Sequence, residues 1–195
     1  AYLKMVYKDG FFHGDLHAGN LLILPNNRLG LVDFGVVGRI NRKTQIAISN
    51  MFLALADEDF DRMAYIYIDL APFTESVDVD GFASDILNLL GPYMGLTLKH
   101  VYVARLLLQS SALASKHGLI LPSELVLFFK SIVSVEGMGR LVSKDFDLLK
   151  ESLAYAKEQV QMTPDPKQLL YDATFFARDM QSFLNALPRQ LKFIL

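Results

Sequence analysis

Residues 11–38 read FFHGDLHAGNLLILPNNRLGLVDFGVVG. The segment carries His13-Gly14-Asp15, then Asn20, then Asp33-Phe34-Gly35. Asp15 and Asn20 are close enough for one compact loop to present both. Between Asn20 and Asp33, two apolar runs, 21–24 and 29–32, flank Pro25-Asn26-Asn27. That pattern predicts a short β-hairpin with a turn-forming Asn pair. The hairpin returns Asp33 to the side of Asn20. Two carboxylates about 4 Å apart repel by about 1 kcal/mol in water, and by several times more near protein. A dication explains a loop that keeps Asp15 and Asp33 together. Magnesium retains several waters, so two protein oxygens plus those of a phosphate complete its shell.

Each part alone is weak. An Asp in a turn is commonly a cap or a solvated loop residue, and His13 alone reads equally as a buried, hydrogen-bonded core histidine. His17 reads as a group that orders the loop rather than one that does chemistry. The joint spacing, HxD-x4-N-x12-DFG, points to phosphoryl transfer: one Asp orients the attacking oxygen, while an Asn and a second Asp hold magnesium against nucleotide phosphates.

On these residues the chain resembles the UbiB (AarF-type, ADCK-like) atypical kinases, a family linked to ubiquinone biosynthesis. HGDLHAGN is similar to their HxDxHxGN signature, and DFGVVGRI to their DFG followed by a small apolar pair and Gly. Residues 121–147, LPSELVLFFKSIVSVEGMGRLVSKDFD, are similar to a helical block of the same family. Aminoglycoside and choline phosphotransferases share the HGDLHxGN half, but usually place an acidic residue after an Asp-Phe or Asp-Trp.

The resemblance implies an α+β, predominantly α fold: a protein-kinase-like C-terminal lobe with a small β-hairpin carrying the catalytic loop and DFG segment. It implies ATP and Mg2+ as cofactors. Asp15 takes the catalytic-loop position and His13 that of the His packed behind the DFG segment. Asn20 and Asp33 take the metal-binding positions, with Phe34 and Gly35 completing the nucleotide-side motif. Gly14 stands where protein kinases carry Arg, so no partner for a phosphorylated activation loop is expected.

The chain has 195 residues, enough for one domain with a sizeable core. Net charge is −2, and no basic run marks a nucleic-acid partner. Without Cys there are no disulfides or Cys-based metal sites. Apolar residues make up 52% and mean hydropathy is +0.27. No run reaches the 18 or so apolar residues of a spanning helix. The excess apolarity reads as a well-buried helical lobe, or as a partner or membrane-proximal surface.

Residues 1–8 read as a helix end closed by Asp9-Gly10. Neither a glycine-rich phosphate loop nor a strand lysine precedes the site, and the family's alanine-rich loop and KxGQ motif do not occur. The reading is a single large lobe, residues 1–40 carrying the site and 41–195 helical, without its N-terminal lobe and inactive by itself.

Asn41 is placed as an N-cap before Ile48, Met51, Phe52 and Leu55, and Asp59 as the next cap with Asp61 in its first turn. Among the acidic residues 57–61, capping is the simpler reading than metal binding. That second helix is expected through Ile68, stopping before Pro72. Residues 74–80 are expected as a polar loop. Further helices are expected over 81–90, 98–117, 123–141 and 145–162, with Gly137 and Gly139 interrupting one of them for close packing. His100 and His117 read as surface or capping groups. Leu169, Ala173, Phe176, Met180, Phe183 and Leu187 form a heptad-like stripe suited to packing on the lobe, a partner helix or a membrane.

With Phe73 after Ala71-Pro72 there is no APE motif, and a helix follows the DFG closely. Both features favour a small-molecule or lipid acceptor, or ATP hydrolysis, over a protein substrate. Three functions are weighed: an ATP- and magnesium-dependent UbiB-type kinase or ATPase supporting quinone-lipid biosynthesis, an aminoglycoside- or choline-type phosphotransferase, and a nucleotide-sensing scaffold. By resemblance, partners include lipid or quinone intermediates, quinone-biosynthesis proteins and a membrane surface. The compartment implied is the bacterial cytoplasm or inner-membrane face, or the mitochondrion.

Overall fold

The computed structural model describes residues 1–26, 28–71, 77–93, 95 and 101–161. The chain opens with a helical turn, α1 (Tyr2–Lys4), which widens into a π-helical turn, Met5–Asp9. Gly10 ends it at φ 63°, the left-handed conformation that glycine adopts without a Cβ penalty. Side chains from far along the chain serve this turn. Gln45 Nε2 donates to the Val6 carbonyl at 2.8 Å and to that of Tyr7 at 3.3 Å, and Gln159 Nε2 also donates to Tyr7 O.

Two antiparallel ladders follow. Strands β2 (Leu21–Leu24) and β3 (Arg28–Leu31) form the hairpin, in register Leu21↔Leu31 through Leu24↔Arg28. Asn26 takes φ 62° in its turn, as hairpin turns require. A second ladder pairs β1 (Phe11–His13) with β4 (Val37–Arg39). The expectation of one hairpin is therefore corrected to two ladders. Three-residue strands have too few positions for an alternating pattern, so the β1–β4 pair left no periodic signal in the sequence.

Helix α2 (Arg42–Ala56) starts where Asn41 Oδ1 accepts the Thr44 amide at 2.9 Å. It buries Ile48, Met51, Phe52 and Leu55. Asp59 likewise caps α3 (Phe60–Leu70) through the Arg62 amide. Helix α4 (Val79–Leu90) is capped by Asp78, so the loop expected to reach residue 80 ends earlier. A 3-10 turn, Gly91–Tyr93, follows it. Then come α5 (Val103–Lys116), α6 (Ser123–Val142) and α7 (Leu148–Gln161).

Helix α6 runs unbroken through Gly137 and Gly139, which corrects the expected interruption. Gly139 is where close packing needs glycine: an added Cβ would lie 2.6 Å from the Phe146 ring. His117 is the C-cap of α5, one of the two roles expected for it, and its half-buried ring also ties two helices together, with Nε2 2.9 Å from Asp85 Oδ2 on α4. Helix α3 stops at Leu70, before Pro72, as expected; His100 and the stripe from Leu169 to Leu187 lie outside the described residues.

The helices pack in sequence, α2 on α3, α3 on α4, α4 on α5 and α5 on α6. Tyr67, Phe82, Phe128 and Phe129 are fully buried among them. Tyr67 meets Phe82 edge-on and Phe129 at a tilt. Phe12 of β1 meets Phe128 of α6 edge-on at 6.1 Å, so the aromatic core runs directly under the HGD loop. Among the described residues, no helix is long and apolar enough to cross a membrane.

Candidate active site

His13 ends β1 and is fully buried. Its Nδ1 accepts the Asp15 amide at 3.2 Å, and its Nε2 lies 3.0 Å from the Val32 carbonyl. An acceptor at Nδ1 and a carbonyl opposite Nε2 define one neutral tautomer, with the proton on Nε2. One ring thus holds the residue that begins the HGD loop's exit and the residue that precedes Asp33. The Phe34 ring stands 5.2 Å from it.

Asn20 closes the same loop. It ends a 3-10 turn, Ala18–Asn20, capped by His17, whose Nδ1 accepts the Gly19 amide at 3.1 Å. His17 orders the loop, as its position suggested. Asn20 is buried, and its Nδ2 donates to the Asp15 carbonyl at 3.0 Å. Its own carbonyl accepts the Val32 amide at 3.1 Å. Hydrogen bonds therefore connect the backbone around Asp15, Asn20 and Val32-Asp33 in one continuous set.

Asp33 takes φ 59°, a left-handed backbone that Asp and Asn enter more readily than most other residues with a side chain. Its Oδ1 accepts the Gly35 amide at 3.3 Å, the local bond by which an Asp holds a tight turn. The Asp15 side chain is 65% exposed, with the His17 ring 4.0 Å away. Phe34 is half exposed.

A bound magnesium ion fits the chemistry of these donors. Asn20 Oδ1 and Asp33 Oδ2 accept no hydrogen bond among the described residues, while their partner atoms are committed to the backbone. Oxygen donors of this kind suit magnesium. No three His, Asp or Glu side chains cluster closely enough to hold a metal by themselves among the described residues. One amide and one carboxylate suit an ion that a polyphosphate helps to hold.

Support for the loop comes from α6, and no local pattern in the sequence announced it. Gly14 donates to Val36 O at 2.9 Å. An added Cβ there would sit 2.8 Å from Val36 Cγ1 and 3.0 Å from Leu127 Cδ2, so any side chain at this position would have to displace theirs. Ser131 Oγ donates to the His13 carbonyl at 2.8 Å, across 118 positions of sequence.

The family described as "ABC1 atypical kinase-like domain" matches residues 1–67, and "UbiB helical domain" matches residues 86–147. A protein described as "Uncharacterized protein in hydrogenase 1 5'region" from Clostridium pasteurianum is 30% identical over 83% of this chain and 30% of its own length. Proteins called "Probable protein kinase UbiB" from Xanthomonas axonopodis pv. citri and Haemophilus ducreyi are 24% and 26% identical. They align over 96% and 97% of this chain and 35% and 37% of their own lengths. The chain thus spans about a third of the length of these curated relatives. No solved structure matches it.

Proposed function

Because the chain belongs to the UbiB family of ABC1 atypical kinase-like proteins, we propose that it carries the phosphoryl-transfer half of an ATP- and magnesium-dependent atypical kinase or ATPase. The observation that carries this reading is the hydrogen-bonded set joining Asp15, Asn20 and the residue before Asp33. In it, Asn20 Oδ1 and Asp33 would hold magnesium, with the nucleotide phosphates completing the shell. Bound there, the ion would neutralise charge on the phosphates. Asp15, projecting into solvent, would accept a hydrogen bond from the attacking hydroxyl or water and orient it. In this chemistry positioning and charge neutralisation supply most of the rate, and proton transfer adds less.

His13 acts through the backbone. By holding the Asp15 amide on one ring nitrogen and the Val32 carbonyl on the other, it fixes the spacing between the orienting Asp and the metal-binding Asp. Helix α2 begins soon after Gly35, leaving little chain for a protein-docking segment. A lipid or small-molecule acceptor, or water, suits that better. The relatives' printed name supports a kinase; quinone-lipid biosynthesis at a membrane surface is the setting we propose from the resemblance to the UbiB family alone. The aminoglycoside or choline reading has no counterpart for the helical block at 86–147.

Asp33→Asn in the full-length protein tests the metal role. The expected outcome is loss of the magnesium-dependent rise in melting temperature that ATP produces in the wild type. An unchanged rise would contradict the assignment.

A further inference from the structure

We propose that Ser131, on α6, is a positioning residue for the catalytic loop, acting on Asp15 through the carbonyl of His13. The proposal rests on the reading of Asp15 given above. Ser131 is buried and its Oγ both accepts and donates: it accepts from Tyr2 Oη at 2.8 Å and donates to His13 O at 2.8 Å. Burial pushes the Tyr2 phenol well above its usual range, so it stays protonated and donates. The direction of the chain is therefore set: Tyr2 to Ser131 to His13.

His13 O is the last carbonyl before Gly14-Asp15. On either side of it, His13 Nδ1 holds the Asp15 amide and Gly14 N–H holds Val36 O. Leu127, one helical turn from Ser131, presses on Gly14 from the same face of α6. Phe128 meets Phe12 edge-on just upstream. Helix α6 thus grips the loop at three successive residues, and Ser131 supplies the one directional bond. A carbonyl held by a buried hydroxyl cannot tilt without leaving both groups unsatisfied. A small tilt there would swing the Asp15 carboxylate, whose side chain is 65% exposed, with the His17 ring 4.0 Å away.

The fold contains a matched control. Ser110 on α5 is also buried, bonds Tyr67 Oη at 2.6 Å and donates to Leu107 O at 2.9 Å, but supports no part of the loop. The test compares Ser131→Ala and Ser110→Ala in the full-length protein. Three quantities are read: melting temperature, backbone amide exchange at Gly14 and Asp15, and magnesium-dependent ATP turnover. Both variants should melt lower by similar amounts.

Ser131→Ala alone should speed exchange at Gly14 and Asp15. It should also lower kcat about tenfold, the milder end of what misplacing a reacting group costs, with the KM for ATP within about twofold. Unchanged exchange at Gly14 and Asp15 in Ser131→Ala, or an equal fall in kcat in Ser110→Ala, overturns the proposal. If exchange rises but Asp15→Asn leaves wild-type turnover intact, the reading of Asp15 as catalytic fails, while the grip of Ser131 on the loop stands.

Discussion

Gly38 pairs with Phe12 across the β1–β4 ladder, and the Phe12 ring lies over it closely enough that a Cβ would collide with the ring atoms. Phe12 cannot yield, because Tyr2 and Phe128 hold it edge-on from two other directions. Gly38→Ala should therefore destabilise by about 2 kcal/mol or more, the cost of overpacking a filled core. Gly137 offers the contrast. It lies inside α6 with nothing within 4 Å of an added Cβ. Gly137→Ala should stabilise by up to about 1 kcal/mol, the helix-propensity difference. Urea denaturation of both variants checks the pair; a loss at Gly137 as large as at Gly38 would contradict the packing argument. Sequence alone displayed both glycines and gave no means of ranking them, because the difference lies in which ring sits opposite.

Glu136 and Arg140, one turn apart on α6, hold the start of α5. Buried Glu136 accepts the amides of Val103 at 3.2 Å and Ala104 at 2.9 Å, where the first N–H groups of a helix lack partners. Arg140 bonds Glu136 at 3.1 Å and the Val101 carbonyl at 2.5 Å, and its guanidinium stacks 4.5 Å from the Tyr102 ring. Glu136→Ala removes a buried, paired carboxylate and should cost about 3–5 kcal/mol, seen as a lowered urea midpoint. Glu136→Gln keeps an acceptor and should lose less. Equal losses would show that the carboxylate's charge, and not its acceptor geometry, matters at α5.

Caps contributed by local sequence were legible: Asn41 and Asp59 bond amides three residues ahead, as such residues do. The hairpin and the helical runs were legible for the same reason, since period and turn chemistry are local. The cap of α5 was not, because its acceptor comes from 32 residues further on. The spacing of Asp15, Asn20 and Asp33 was open to reading. Their support by Leu127 and Ser131 was not, since helical period shows which residues face inward and not what they meet.

Among the described residues of the whole molecule, exposed apolar side chains gather on the hairpin and its neighbour. Leu22, Ile23 and Leu29 of the hairpin and Phe34 beside it are exposed, Ile23 by 88%. Ile23 and Leu29 are cross-strand partners and so share one face of the hairpin. Exposed apolar side chains paired on one face of a hairpin favour association. Replacing both with Thr, a good strand former, should lower self-association of the 195-residue chain in light scattering, with the melting temperature little changed. Undiminished scattering would locate the association elsewhere. A different asymmetry runs along the chain. The first turns are clasped by the last described helix: Tyr155 stacks on Tyr7 at 5.7 Å, Glu158 pairs with Lys8 at 3.0 Å, and Gln159 bonds Tyr7 O. During translation at about 5–20 residues per second, the ribosome needs on the order of ten seconds to extend the chain from His13 to Ser131. Through that interval the nascent HGD segment has neither its helical brace nor its clasp, so the loop reaches its final geometry only after α6 and α7 have been made.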